Sequence, residues 1–381
     1  MEDLKMTEMI KKWSAESQNE LKQLIFDLCR IPAPSHKEEL RAEFCKKWLE
    51  SKGAQGVYID EALNVVFPYC DNGGEVTVFE AHTDTVFPDL TPFDVKIEGD
   101  IAYCPGIGDD TANLADMMMA IDFLLKNDLK PKNGGIIFVC NSCEEGLGNL
   151  KGTRAIMKKY GDRTKEFFTF DGTLFAAVKR AVGSRRFRIE VKTIGGHSYG
   201  SFGNPNAIEQ LAQLIVQLYR IKVPTPPDTK TTMNIGTIQG GTSVNTIAQQ
   251  AEALFEFRSD DRECLEFMQK QFDAIIEAER VKGHDITVEI VGERPCMGEI
   301  DPVKHKAILD KVVNLMSKYT DKEIRLRPSS TDCNIPLSMG IPSTCIGGYK
   351  GGKAHTREEY IELSSLETGL AIVTECITLS L

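Results

Sequence analysis

Gly135-Ile136-Ile137-Phe138-Val139-Cys140-Asn141-Ser142-Cys143-Glu144-Glu145 begins as the most apolar run in the chain and ends on two adjacent acids. A short, unbroken apolar run has the character of a strand buried on both faces, as in a parallel sheet. Adjacent carboxylates at the end of such a strand repel one another and lose solvation, which folding alone does not favour. A cation held by one relieves the repulsion. The other, kept off the cation and partly desolvated, acquires a pKa suited to taking a proton from water. The bland alternative is an exposed acidic turn, helped by Gly146 and Gly148.

Outward from this strand, Glu75-Val76-Thr77-Val78-Phe79 is a second run of buried-strand type, and the stretches 21–29, 37–51, 112–126 and 150–160 carry apolar residues at helical spacing. That alternation predicts an α/β domain, a mostly parallel sheet flanked by helices. Ser35, behind the Pro32-Ala33-Pro34 breaker and ahead of Glu38 and Glu39, reads as a helix cap. From about Gly183 the order changes to strand 186–193, helix 206–219, strands 232–238 and 251–258, helix 264–281 and strand 285–291. This β-α-β-β-α-β order is that of an inserted ferredoxin-like α+β unit. Pro295 closes it; helix 303–319, strand 323–326, the apolar stretch 341–346 and helix 363–377 then return to the earlier pattern. The simplest arrangement is one α/β domain in two pieces, 1–182 and 296–381, interrupted by a smaller domain at 183–295.

A chain of 381 residues, 41% of them hydrophobic, exceeds the size at which one core stops growing, in keeping with two domains. The net charge of -11 repels phosphate backbones and anionic headgroups, which argues against nucleic acid and membrane partners. The first 18 residues mix Glu2, Asp3, Lys5, Lys11 and Lys12 with isolated apolar positions, so no apolar leader region is expected there. The eleven cysteines are odd in number and scattered, as suits reduced thiols in a cytoplasmic protein. Cys140 and Cys143 have redox spacing, but a redox pair opens a helix whereas Cys140 ends a strand, so a buried strand cysteine is the better reading.

Further acids and imidazoles fall where other strands end. His82 and Asp84 follow the second strand; one can hold a metal while the other steadies the imidazole. Asp109-Asp110 sits in a loop ahead of a helix, where a carboxylate can bridge two cations or, more plainly, cap the helix. Asp171 closes Phe167-Phe168-Thr169-Phe170, and His355 follows the glycine-rich 347–352. Taken singly, each is an ordinary turn residue. Together they supply the five or so ligands and one unligated base that a two-metal hydrolase needs.

These ordered motifs resemble the co-catalytic dizinc metallopeptidases, a family that includes peptidase T, carnosinase-like dipeptidases, carboxypeptidase G, acetylornithine deacetylase and succinyl-diaminopimelate desuccinylase, with peptidase T nearest in texture. The resemblance implies that His82 and Asp171 bind one metal, Glu145 and His355 the other, and Asp109 both, with Asp84 orienting His82. It further implies that Glu144 is the general base acting on a water held between the metals. The family's usual lysine after the bridging acid is missing from Asp109-Asp110-Thr111-Ala112-Asn113, which leaves Asp110 as the competing bridge. Gly195-Gly196-His197-Ser198 resembles the lid histidine that helps hold the oxyanion in such enzymes. Asn245 and Arg258 resemble substrate-binding positions, Arg258 as a clamp for a carboxylate or else merely paired with Asp260 or Asp261.

Aspartate at position 171 resembles the aminopeptidase and dipeptidase members, whereas deacylases tend to have glutamate. The expectation is therefore a dizinc aminopeptidase of tri- or dipeptides, with zinc by default and cobalt or manganese also fitting the ligands. Its partners would be a short peptide substrate and a second copy bound through the inserted lid domain. The alternatives are an amidohydrolase that deacylates N-acyl amino acids, a non-catalytic binding protein of the same fold, and a mononuclear iron oxygenase using His82, Asp84 and His355.

Overall fold

The computed structural model describes residues 2–381, with side chains from residue 4 onward. The chain divides into two compact units, one made of Met1–Arg180 with Glu299–Leu381, the other of Ala181–Gly298.

In the first unit the apolar run becomes the strand Gly135–Asn141, every residue buried. It lies parallel to Val76–His82, Phe138 level with Phe79. Thr164–Phe170 pairs in parallel with the other side of Val76–His82, and Ser343–Ile346 in parallel with Thr164–Phe170. Further strands extend this parallel centre to eight, the antiparallel Val65–Tyr69 and Tyr58–Ile59 on one side, the antiparallel Ala176–Ala181 and then Arg325–Ser329 on the other. The Phe79 ring stacks 5.1 Å from Phe168, 5.8 Å from Phe138 and 5.9 Å from Phe170, joining the central strands beneath their carboxyl ends. Burying each such ring contributes roughly 1.5–3 kcal/mol. The helix Asn113–Lys126 is buried at every position from Asn113 to Leu124, Asp116 and Asp122 included among its mostly apolar residues.

The four parallel strands end on one edge, where the last residue of one is His82 and the segments after the others carry Glu144 with Glu145, Asp171, and the loop to His355. A small antiparallel sheet of Lys96–Glu98, Ile101–Tyr103, Tyr360–Glu362 and Gly351–Gly352 ties the loop before Asp109 to the loop around His355. Sequence reasoning missed this sheet, and also the first helix, Glu2–Glu16. The cap expected of Ser35 is not made. The helix starts at Glu39 behind Glu38, without a side-chain cap, because the Ser35 hydroxyl is bonded elsewhere.

The second unit is an antiparallel sheet ordered Thr231–Gly240, Gln250–Ser259, Gly183–Lys192, Asp285–Arg294, the ferredoxin-like arrangement. Phe187, Ile189, Val191, Phe255 and Phe257 alternate onto one face and pack with Leu211, Leu214, Met268 and Phe272 of the helices Ala207–Leu218 and Arg262–Val281. Asn206 and Asp261 cap those helices by accepting from the backbone N–H of Ile208 and Cys264. No described helix is long and apolar enough to cross a membrane. All eleven cysteines are free thiols.

Candidate metal centre

His82 Nε2 lies 3.1 Å from Oδ1 of Asp109. The other oxygen of that carboxylate, Oδ2, lies 3.1 Å from His355 Nε2, which is 3.0 Å from Oε1 of Glu145. Ligand atoms of His82, Asp109 and Asp171 fall within 4.8 Å of one another, and so do those of Asp109, Glu145 and His355. Two mixed imidazole and carboxylate groups sharing one acid, which turns one oxygen to each side, form the donor set of a bridged pair of divalent cations. The residues therefore fit such a pair. Glu144 joins a third group with His82 and Glu145.

Of the two candidate bridging acids, Asp110 faces away. Its Oδ2 accepts from the His82 backbone N–H at 3.0 Å, and its Oδ1 from Asn113 Nδ2 at 2.6 Å. Asn113 also donates to the Gly172 carbonyl and accepts from the Gly348 N–H, linking the loops of Asp110, Asp171 and His355. Asp84 meets the His82 ring through its backbone. The ring Nδ1–H donates to the Asp84 backbone carbonyl at 3.0 Å, with the carboxylate 3.5 Å away. That carboxylate instead accepts from Glu144 N–H and Glu145 N–H, both at 2.9 Å, and from the Ser35 hydroxyl at 2.6 Å. Occupied in this way, it does not complete an iron triad with His82 and His355.

Asp109 is held by a residue 250 positions later in the chain. Glu359 accepts from the N–H groups of Gly106, Gly108 and Asp109 at 2.8, 2.9 and 2.7 Å. Gly108 must be glycine here, because a Cβ would come within 2.6 Å of the Tyr349 ring. Beneath the site, the buried Arg41 guanidinium donates to the Leu28, Ile31 and Thr83 carbonyls. Sequence reasoning missed the parts played by Arg41, Asn113 and Ser35.

The electrostatics call for positive charge. Burial and the neighbouring Asp109 push Asp171 up to about 7. Hydrogen bonds to Asp109 and Glu145 raise His355 to about 11. Burial pulls His82 down, but Asp110, Asp109 and Asp84 outweigh it and leave its pKa well above the usual imidazole range. Asp109 is held low by His355 and His82 against its own burial. Each imidazole facing a carboxylate thus requires a cation between the two, either a proton or a metal ion.

In the second unit, Gly196–His197 pairs with Thr246–Ile247, and Ser198 N–H donates to the Asn245 carbonyl, so His197 and Asn245 are neighbours. The exposed His197 ring accepts through Nδ1 from the N–H groups of Tyr199 and Gly200, which leaves its proton on Nε2. Arg258 is not with them. It sits towards the far end of Gln250–Ser259, roughly 25 Å along the strand at about 3.3 Å per residue. Nor does it pair with Asp260 or Asp261: its Nε and Nη2 donate to both oxygens of Glu256, two residues away on the same face, at 2.9 and 3.0 Å.

Residues 78–379 match the profile of peptidase family M20/M25/M40. Succinyl-diaminopimelate desuccinylase of Ectopseudomonas mendocina is 25% identical over 286 residues, which cover 69% of this chain and 73% of that protein. A tripeptidase of Staphylococcus aureus superposes with a TM-score of 0.76 at 22% identity, covering 95% of this chain and 98% of its own. A dinuclear metal binding peptidase of Bacillus subtilis superposes with a TM-score of 0.62 at 17% identity, covering 96% and 98%.

Proposed function

Because the chain is a member of peptidase family M20/M25/M40 and a metal-dependent hydrolase, we propose that it is an aminopeptidase of tri- or dipeptides working with two metal ions. The observation that carries the two-metal reading is the Asp109 carboxylate, one oxygen facing each imidazole at 3.1 Å. His82 and Asp171 would hold one ion, Glu145 and His355 the other, and Asp109 both, with zinc suiting the mixed ligands and cobalt or manganese as substitutes. Divalent ions there supply Lewis acidity and lower the pKa of water. Glu144 takes the proton of the attacking water and returns it to the departing amine. His197, its proton on Nε2, is suited to donate to the oxygen on which negative charge builds.

Preference for a free amino end rests on aspartate at position 171 and has support from the fold shared with the tripeptidase. A deacylase reading is favoured by the desuccinylase relative. A peptide-length series with free and blocked termini separates the two: free-amine tripeptides are cleaved on the first reading, whereas cleavage of N-acyl amino acids alone overturns it. Metal analysis of protein purified without added metal should give about two ions per chain. Eleven free thiols support a cytoplasmic setting. The Thr231–Gly240 edge strand and the exposed Ile208, Val216, Tyr219 and Ile238 of the inserted unit support a homodimer formed through that lid, which sedimentation would reveal.

A further inference from the structure

Three consecutive backbone N–H groups in the loop that carries the proposed base end on carboxylates. Glu144 and Glu145 donate to Asp84, and Cys143 donates to Oε1 of Glu38 at 3.0 Å. Glu38 precedes the helix Glu39–Ser51 yet caps nothing in it. It is fully buried, and its Oε1 also receives the His36 N–H at 3.0 Å and the Cys143 thiol at 3.3 Å. Past Asn141 the loop leaves the sheet; its carbonyls at Cys143 and Glu145 accept from the N–H groups of Leu150 and Gly148, while Cys143 takes a left-handed φ of 58° that a non-glycine residue adopts only when its surroundings impose it. From the same segment as Glu38, the Ser35 hydroxyl reaches both Asp84 Oδ2 and, at 3.3 Å, the Glu145 carbonyl. Thr85 N–H donates to the Ala33 carbonyl at 2.9 Å, joining this segment to the strand end that bears His82. Residues 31–38 thus wrap the loop from outside the stretch that matches the family profile.

We infer that Glu38 is a positioning residue whose carboxylate, together with Ser35 and Asp84, fixes the Cys143–Glu145 backbone so that Glu144 meets its water in register. This rests on Glu144 being the base. A buried acceptor that ends several N–H groups holds a loop that the sheet no longer holds, and a displacement of about 1 Å in a base can cost on the order of 100-fold in rate. Glu38 ends the Cys143 N–H and touches neither water nor metal in this scheme, while Asp84 still ends the N–H groups of Glu144 and of the ligand Glu145, so its removal acts on turnover in metal-saturated protein and not on substrate affinity.

The test compares Glu38→Ala, Glu38→Gln and Glu38→Asp. Assayed with metal in excess, the alanine variant is expected to lose about 10- to 100-fold in kcat, with KM within about threefold, and its Cys143–Glu145 amides should exchange hydrogen faster. Glutamine, which keeps an acceptor oxygen, should restore both slow exchange and most of the rate. Should the alanine variant fail to fold, the shorter aspartate decides, since it withdraws the acceptor from Cys143 and should speed the same exchange. Unchanged exchange in the alanine or aspartate variant overturns the inference, as does a glutamine variant as impaired as alanine. Exchange is read without substrate, so a wild-type protein inert towards every peptide would sink the proposed function and leave this measurement standing.

Discussion

Side chains assigned to chemistry in the two units are held in opposite ways. In the first unit Asp84, Glu144 and Glu145 are buried, and the loops of Asp109 and Glu144 hang from the carboxylates of Glu359, Asp84 and Glu38. In the second, His197 and Asn245 are exposed, and Arg258 is engaged by its own neighbour Glu256. The contrast separates two demands. Proton transfer and metal binding need atoms fixed to a fraction of an ångström, which double support achieves; even the exposed His355 ring is held by both Asp109 and Glu145. Contacts to a substrate tolerate exposure, because the substrate completes them.

Mutations test that division, beginning with the base. Glu144→Ala should lower kcat about 10²- to 10⁴-fold while metal content stays at the wild-type level, measured by steady-state kinetics and elemental analysis. Loss of metal from that variant would make Glu144 a ligand. His197→Ala should cost about 10²- to 10³-fold in kcat, as for one oxyanion donor; a loss smaller than that of Glu38→Ala would remove the inserted unit from the chemistry. Glu359→Ala should weaken metal affinity about 10- to 100-fold in a chelator competition, because the Asp109 loop loses its three-point anchor.

Acid and base should also tell the units apart. In metal-free protein Asp171 and Glu359 both rise to about 7, burial leading in each case. The folded state then binds more protons than the unfolded one between about pH 4 and 7, so stability falls as pH rises through that window. Melting in a chelator should therefore occur at a lower temperature at pH 7 than at pH 5, and added metal should raise it more at pH 7. A flat profile would mean that the crevice is already neutralised. The smallest effect belongs to Arg258→Ala, whose partly exposed pair with Glu256 should contribute less than about 1 kcal/mol to unfolding by urea. Loss of binding restricted to peptides with a free carboxyl end would instead return Arg258 to the substrate site.

Much of the fold was legible because its main elements carry long, unambiguous patterns. Gly135–Asn141 and Val76–His82 are unbroken apolar runs, and Arg262–Val281 keeps helical spacing for twenty residues. The candidate ligands stood out for a related reason, as acids that interrupt apolar stretches against the preference of a core. What supports them did not stand out. Glu38 looks like a first-turn acid and Ser35 like a cap, and only the folded chain shows that both serve a loop more than 100 residues away. Glu359 reaches Gly106 across 253 positions, a pairing no local pattern encodes. Gly351–Gly352 is a two-residue strand with no side chains to give a period.

The first unit is assembled from two stretches of chain, with a consequence during synthesis. When a ribosome has made residues up to Arg180, three of the four central parallel strands exist, but Ser343–Ile346 and His355 do not. Until the chain has been translated past His355, the nascent polypeptide carries an uncovered edge along Thr164–Phe170 and a constellation short of one imidazole. Any ion that needs His355 would then be the last part to join, and chaperone demand should peak in the interval before the C-terminal stretch leaves the exit tunnel.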